Sequence, residues 1–154
     1  GSFGVETAER GFRIAAQHEL ELGSWASQGR PFFAGTALYS TTVNGPAGTK
    51  RLKVELGKWN GSLAEVLIDG KRAGLLGWPP YELEIGMTPG AHKLELRVVS
   101  TPRNVFGPYH LPSKPRMRAW PAAWSEFPDH QPAGSAYDVL DYGLMDAPKL
   151  SFGR

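Results

Sequence analysis

The chain contains no cysteine. That removes disulfides, thiolate catalysis and cysteine-based zinc sites together, and it is neutral about compartment. No apolar run approaches the ~18 residues of a membrane-spanning helix, and no signal peptide is visible. Helical periodicity is nowhere sustained, and no internal repeat is evident. Acids are missing from the whole stretch between Glu95 and Glu126, where Arg97, Arg103, Lys114, Arg116 and Arg118 fall. With a net charge of only +2, nucleic acid is not implied as a partner. The acid-free window reads either as a loop of solvated cations or as a local attraction. In the second case its target is an acidic glycan or an anionic face of a neighbouring domain.

Catalytic constellations are missing too. His18, His92, His110 and His130 lack metal-ligand spacing. Glu82 and Glu84 share a strand face about 7 Å apart, which resembles a carboxylate pair but reads better as a solvated face. There is no glycine-rich phosphate loop opening a helix and no nucleophile elbow. Enzymatic activity is therefore not expected, and neither is a cofactor. A structural calcium would have only Glu19 and Glu21 as weak candidates, with no compact acidic loop to hold it.

What is present is β texture. Nineteen glycines and thirteen prolines punctuate short runs of β-branched and aromatic residues, the pattern of an all-β sandwich or barrel. In Arg51–Leu56, Leu52, Val54 and Leu56 share one face and Arg51, Lys53 and Glu55 the other. Lys93–Val99 repeats this, with Leu94, Leu96 and Val98 opposite Lys93, Glu95 and Arg97. Tyr81–Ile85 does so again, with Tyr81, Leu83 and Ile85 opposite Glu82 and Glu84. Strands with one polar face are usually antiparallel with one side wet. Asp69-Gly70 predicts a two-residue hairpin, because a type I′ turn needs positive φ at both central positions. Phe12–Gln17 and Phe32–Thr42 read as further strands, and strand-like composition returns over Tyr137–Phe152. Pro102 to Gly134 holds seven prolines and reads as a long irregular segment, which in a compact domain is functional, internally packed or a linker.

At 154 residues the chain is long enough to bury about 70% of its unfolded surface without staples. One domain is expected over residues 3–154. Gly1-Ser2 resembles the scar of a removed tag, which suggests a domain excised from a larger parent.

Five tryptophans, Trp25, Trp59, Trp78, Trp120 and Trp124, are the remaining information. A pyranose packs its axial C–H bonds on a flat π face while polar neighbours read its hydroxyls. Tryptophan is equally a favoured core filler in sandwiches, so each of the five carries both readings. Pro79 and Pro80 cannot donate to a ladder, so a strand cannot begin before Tyr81. Trp78, just ahead of them, either closes the end of the sandwich or offers a platform.

The stretch "AEVLIDGKRAGLLGWPPYELEIGMTPGAHKLELRVVSTPRNVFGPYH" resembles the galactose-binding-domain-like jelly roll attached to large bacterial glycoside hydrolases. It is most similar to the C-terminal accessory sandwiches of α-L-rhamnosidase-like enzymes. The pattern runs through "VLIDGKRAG", "WPPYELEIG", "PGAHKLELRV", "RNVFGPYH", "WPAAWSEF" and "YDVLDYGLMDAPKL", over roughly residues 12–152. The chain departs from it at Asp69, where the family usually carries asparagine, and in the Pro/Arg-rich stretch 111–121. The resemblance implies a two-sheet antiparallel jelly roll. It also implies a non-catalytic module of a glycan-degrading enzyme that is secreted or periplasmic with its parent.

The expected function is binding of a plant-type poly- or oligosaccharide by aromatic stacking, by a monomeric domain with no nucleic-acid or membrane partner. The alternative is a structural domain that packs on the parent's catalytic domain in cis and binds no sugar. The expected carbohydrate site combines Trp78 and Tyr81 with Arg103, Asn104, Tyr109, His110, Trp120 and Trp124 of the acid-poor loop. Asn104 also has a structural reading, since an asparagine after a strand can satisfy loop backbone groups with its amide.

Overall fold

The computed structural model describes residues 3–106 and 131–154. It is an all-β antiparallel sandwich. Every paired strand runs antiparallel to its neighbour. Among the described residues, helix is confined to one turn at Arg103–Phe106 and a 3-10 turn at Gly134–Ala136. The chain divides into two compact units, one of Gly1–Ala34 with Thr101–Asp141, the other of Gly35–Ser100 with Tyr142–Arg154.

The second unit holds the two main sheets. In the four-stranded sheet the order is β3 (Thr36–Gly45), β9 (Gly90–Val99), β6 (Leu63–Ile68), β7 (Lys71–Leu76). In the three-stranded sheet it is β11 (Lys149–Gly153), β4 (Arg51–Glu55), β8 (Glu82–Gly86). Short β5 (Trp59–Asn60) and β10 (Gly143–Leu144) pair separately. The alternation legible in the sequence sets the inner faces. Leu52 and Val54 of β4, Ala64 and Val66 of β6, and Leu94, Leu96 and Val98 of β9 are all buried. Each buried Leu and Val among them stabilises the fold by roughly 1.5–3 kcal/mol relative to exposure. β7 packs against β8 across the two sheets. A Cβ at Gly74 would stand 2.6 Å from a Leu83 methyl, so a side chain there would force Leu83 to move.

The outer faces are wired by ion pairs. On the three-stranded sheet Arg51 meets Glu84 at 2.7 Å and Lys53 meets Glu82 at 2.6 Å. On the four-stranded sheet Glu65 is shared between Arg97 at 3.2 Å and Arg72 at 3.4 Å. Such half-exposed pairs contribute at most about 1 kcal/mol each. Glu95 is the exception in its burial. It faces outward from central β9, between Ser40 of β3 and Leu67 of β6, and is buried with its carboxylate 2.7 Å from Lys93.

The turn between β6 and β7 is the expected type I′ hairpin. Asp69 and Gly70 have φ of 50° and 76°, both positive. Asp69 does more than turn the chain. Its backbone N–H donates to the Lys93 carbonyl, and its Oδ1 accepts from the Lys93 N–H at 2.8 Å. Its Oδ2 lies 2.7 Å from Nδ1 of His92. These bonds tie the hairpin tip to β9.

The first unit is smaller in strand content. Here β1 (Gly4–Thr7) pairs with β2 (Phe12–Ala15), and Phe12 sits edge-on between Phe32 at 4.7 Å and Tyr137 at 5.2 Å. Trp25 is buried with Phe33 edge-on at 5.5 Å. Two strand expectations are corrected. The strand foreseen from Phe32 begins only at Thr36, because the Phe33 N–H closes a turn on the Arg30 carbonyl. The stretch 137–152 yields only β10 and β11.

Candidate functional site

Trp78 lies between β7 and β8 in the second unit, after Gly77 and before two prolines. It is 75% exposed, the extreme opposite of Trp25 at 1%. The local sequence explains why. β7 ends with buried Leu76, and β8 starts only at Glu82, whose N–H donates to the Pro80 carbonyl at 2.8 Å. Pro79 and Pro80 have no N–H to join a ladder, so the strand pairing lapses here and the indole stands exposed.

Tyr81, three residues on, is half-buried, with its ring edge-on to Trp59 at 5.2 Å and 89°. The Trp59 ring lies so close to Gly61 that a Cβ there would meet it at 3.0 Å, and it belongs to the scaffold. The Tyr81 hydroxyl has no hydrogen-bond partner among the described residues, so it can donate to or accept from a ligand. Trp78 therefore supplies a free π face, and Tyr81 a hydroxyl held by a packed ring.

Arg103 and Asn104 belong to the first unit. Arg103 donates to the Asp138 carbonyl at 3.1 Å and to its carboxylate at 3.2 Å. Asn104 is 1% exposed. Its Nδ2 donates to the carbonyls of Pro31 and Leu140, both at 2.9 Å, and its Oδ1 accepts the Leu140 N–H. An amide with both protons committed and no solvent access cannot read a sugar hydroxyl. Asn104 is thus corrected from a binding residue to a clamp, the structural role its position after a strand allowed. Tyr109, His110, Trp120 and Trp124 lie outside the described residues.

Glu82 and Glu84 do not form a catalytic pair, since each carboxylate is engaged by a β4 cation. Among the described residues no cluster of three or more metal-ligating side chains occurs, and Glu19 and Glu21 instead border a hollow of about 770 Å³ in the first unit, with Phe12, His18, Gln28 and Tyr137.

A second cavity, of about 550 Å³, opens at the hairpin end of the sandwich in the second unit. Sequence reasoning missed it. Its one signal was Asp69 standing where the resembled family has asparagine, since only a carboxylate can pair with His92 as an ion.

No protein-family profile matches the chain. It is 31% identical to a putative β-glucuronidase of Formosa agariphila, over 85% of this chain and 13% of that protein. Among solved structures it resembles a rhamnosidase from Novosphingobium sp. PP1Y, with a TM-score of 0.57 and 26% identity over 97% of this chain and 14% of that one. A GH2 β-galacturonidase from Eisenbergiella tayi overlaps more loosely, with a TM-score of 0.43 and 22% identity over 76% of this chain and 20% of that one. The chain thus spans a small part of the length of the glycoside hydrolases it is similar to.

Proposed function

We propose that this chain is a non-catalytic accessory domain of a glycan-degrading enzyme, and that it binds carbohydrate by stacking a sugar ring on Trp78. The observation that carries this is the 75% exposure of an indole on a β-sandwich similar to a small part of a rhamnosidase. An exposed tryptophan costs solubility unless something covers it, and a pyranose offers a matching apolar face with hydroxyls for Tyr81. The stacked ring contributes on the order of 1–3 kcal/mol. Titration of the chain with neutral and acidic plant oligosaccharides, followed by tryptophan fluorescence, tests this. Trp78→Ala should weaken binding about tenfold or more.

One observation favours a second reading. The chain matches only 13–14% of its relatives' lengths; in a parent of comparable size a neighbouring domain would be available to cover Trp78, and tryptophan is a frequent interface anchor. In that case the Trp78 indole packs on the catalytic domain and no oligosaccharide quenches it. Mixing the isolated catalytic domain with this chain then gives a complex that Trp78→Ala abolishes.

A further inference from the structure

The cavity at the hairpin end lies at the other end of β7 and β8 from Trp78. Lys71 opens β7 and Leu76 closes it, a separation of roughly 16–17 Å at ~3.3 Å per residue. Lys50, Lys71 and Arg72 line it, together with His92 and the single carboxylate of Asp69. The apolar part of the lining comes from Ile68, Ala73, Ile85 and Met87.

The charges are not mutually neutralised. Both oxygens of Asp69 are already engaged, Oδ1 by the Lys93 N–H and Oδ2 by the His92 ring. The ring's other nitrogen faces the Thr88 carbonyl at 3.0 Å. The Thr88 hydroxyl also lies 3.3 Å from that nitrogen, and when protonated the imidazole donates to both the carboxylate and the carbonyl. Arg72 reaches Glu65 only at 3.4 Å, and Glu65 is shared with Arg97. Lys50 and Lys71 make no ion pair among the described residues. Lys50 is nonetheless anchored by its backbone, whose N–H donates to Gly153 and whose carbonyl accepts from Met87. Two ammonium groups outside any ion pair, of which Lys71 also acts at longer range on the Asp69 carboxylate, thus border a hollow with an apolar lining, within the ~300–1,000 Å³ of small-molecule sites.

We propose that this groove is a second saccharide site, which takes the acid group of an anionic sugar between Lys50 and Lys71 and packs the ring's C–H face on Ile85 and Ala73. The acid group is a uronate carboxylate or a sugar sulfate, because both offer oxygens to two lysine point charges. The inference rests on the carbohydrate reading for the ligand's class, but it uses residues separate from Trp78.

The test is calorimetric titration of the whole chain at low ionic strength with four probes: a galacturonic acid trimer, a sulfated galactose trimer, a neutral galactose trimer and inorganic sulfate. At least one acidic trimer should bind tenfold or more tightly than the neutral trimer and than sulfate, and the tighter of the two identifies the acid group. The double variant Lys50→Gln, Lys71→Gln should lose that preference with an unchanged melting temperature, while Trp78→Ala should keep it. Amide shifts of Ala73 and Ile85 on adding the acidic trimer should report the same site. Equal affinity for acidic and neutral trimers overturns the inference, and so does undiminished acidic preference in the double variant. Sulfate binding as tightly as the trimers, an adventitious anion only, overturns it as well. A neutral trimer bound through Trp78 alone removes the groove and leaves the proposed function standing; no saccharide binding at all removes both.

Discussion

Asp69 holds His92 through a 2.7 Å contact at Nδ1, and the Thr88 carbonyl holds the same ring at Nε2, 3.0 Å away. The Asp69 bond raises the imidazole above its ordinary 6.5; burial opposes it, and the Thr88 carbonyl adds a smaller upward effect. The His92 bond and then the Lys93 N–H lower the carboxyl below its ordinary 3.8. A raised histidine contributes stability that is complete below its unfolded value and lost as pH rises through its folded one. A lowered aspartate contributes stability present above its unfolded value and lost as pH falls through its folded one. The pair's contribution is therefore full between about pH 4 and 6.5. Asp69→Asn keeps a residue that tolerates the left-handed turn and removes only the charge. It should return the His92 titration, followed by NMR, toward 6.5, and should destabilise the chain at pH 5.5 more than at pH 9. Equal destabilisation at both values would show that the ion pair is idle.

The tryptophans should part into two classes. Trp25→Ala empties a buried site and should cost about 3–5 kcal/mol in denaturant unfolding. Trp78→Ala should change stability by no more than about 0.5 kcal/mol while saccharide affinity drops. A large loss of stability in Trp78→Ala would return that residue to the scaffold.

Asn104→Ala strands two carbonyls and one N–H that the amide now satisfies. Unsatisfied buried groups cost about 1–3 kcal/mol each before relaxation, so a loss of roughly 2–4 kcal/mol is expected. Oligosaccharide affinity, measured at a temperature where the variant is still folded, should not move.

Gly74→Ala should destabilise by about 1–3 kcal/mol through overpacking, since the new methyl meets Leu83. Shortening the neighbour relieves the clash. The double variant Gly74→Ala, Leu83→Ala should then lose less than the sum of the single changes, and strict additivity in chemical denaturation would sever the contact.

Much of the sandwich was legible because its information is local. The alternations in Arg51–Leu56, Lys93–Val99 and Tyr81–Ile85 became the inner and outer faces, and Asp69-Gly70 became its hairpin. Period two could not show that Glu95 is covered while Lys93 is exposed, because burial on an outer face depends on flanking strands. The Asn104 clamp closes on Pro31 and Leu140, 73 and 36 residues away, a separation that carries no local pattern. Trp78's exposure was undecidable from sequence, since a tryptophan before Pro-Pro serves equally as plug or platform. The Lys50–Lys71 groove was hidden because its lysines come from different strands and each alone is an ordinary surface charge.

The pairing of β11 with β4 joins Lys149–Gly153 to Arg51–Glu55 across most of the chain's length. During synthesis β4 leaves the ribosome long before its second partner exists. Until then one row of its N–H and C=O groups stands open beside Leu52 and Val54, a template for foreign strands. Such a long loop closure is also slow, because its entropy is lost before the contacts form. A nascent chain arrested ahead of Lys149 would expose this edge to chaperones, and the emergence of Lys149–Gly153 from the ribosome is the moment at which it can be sealed.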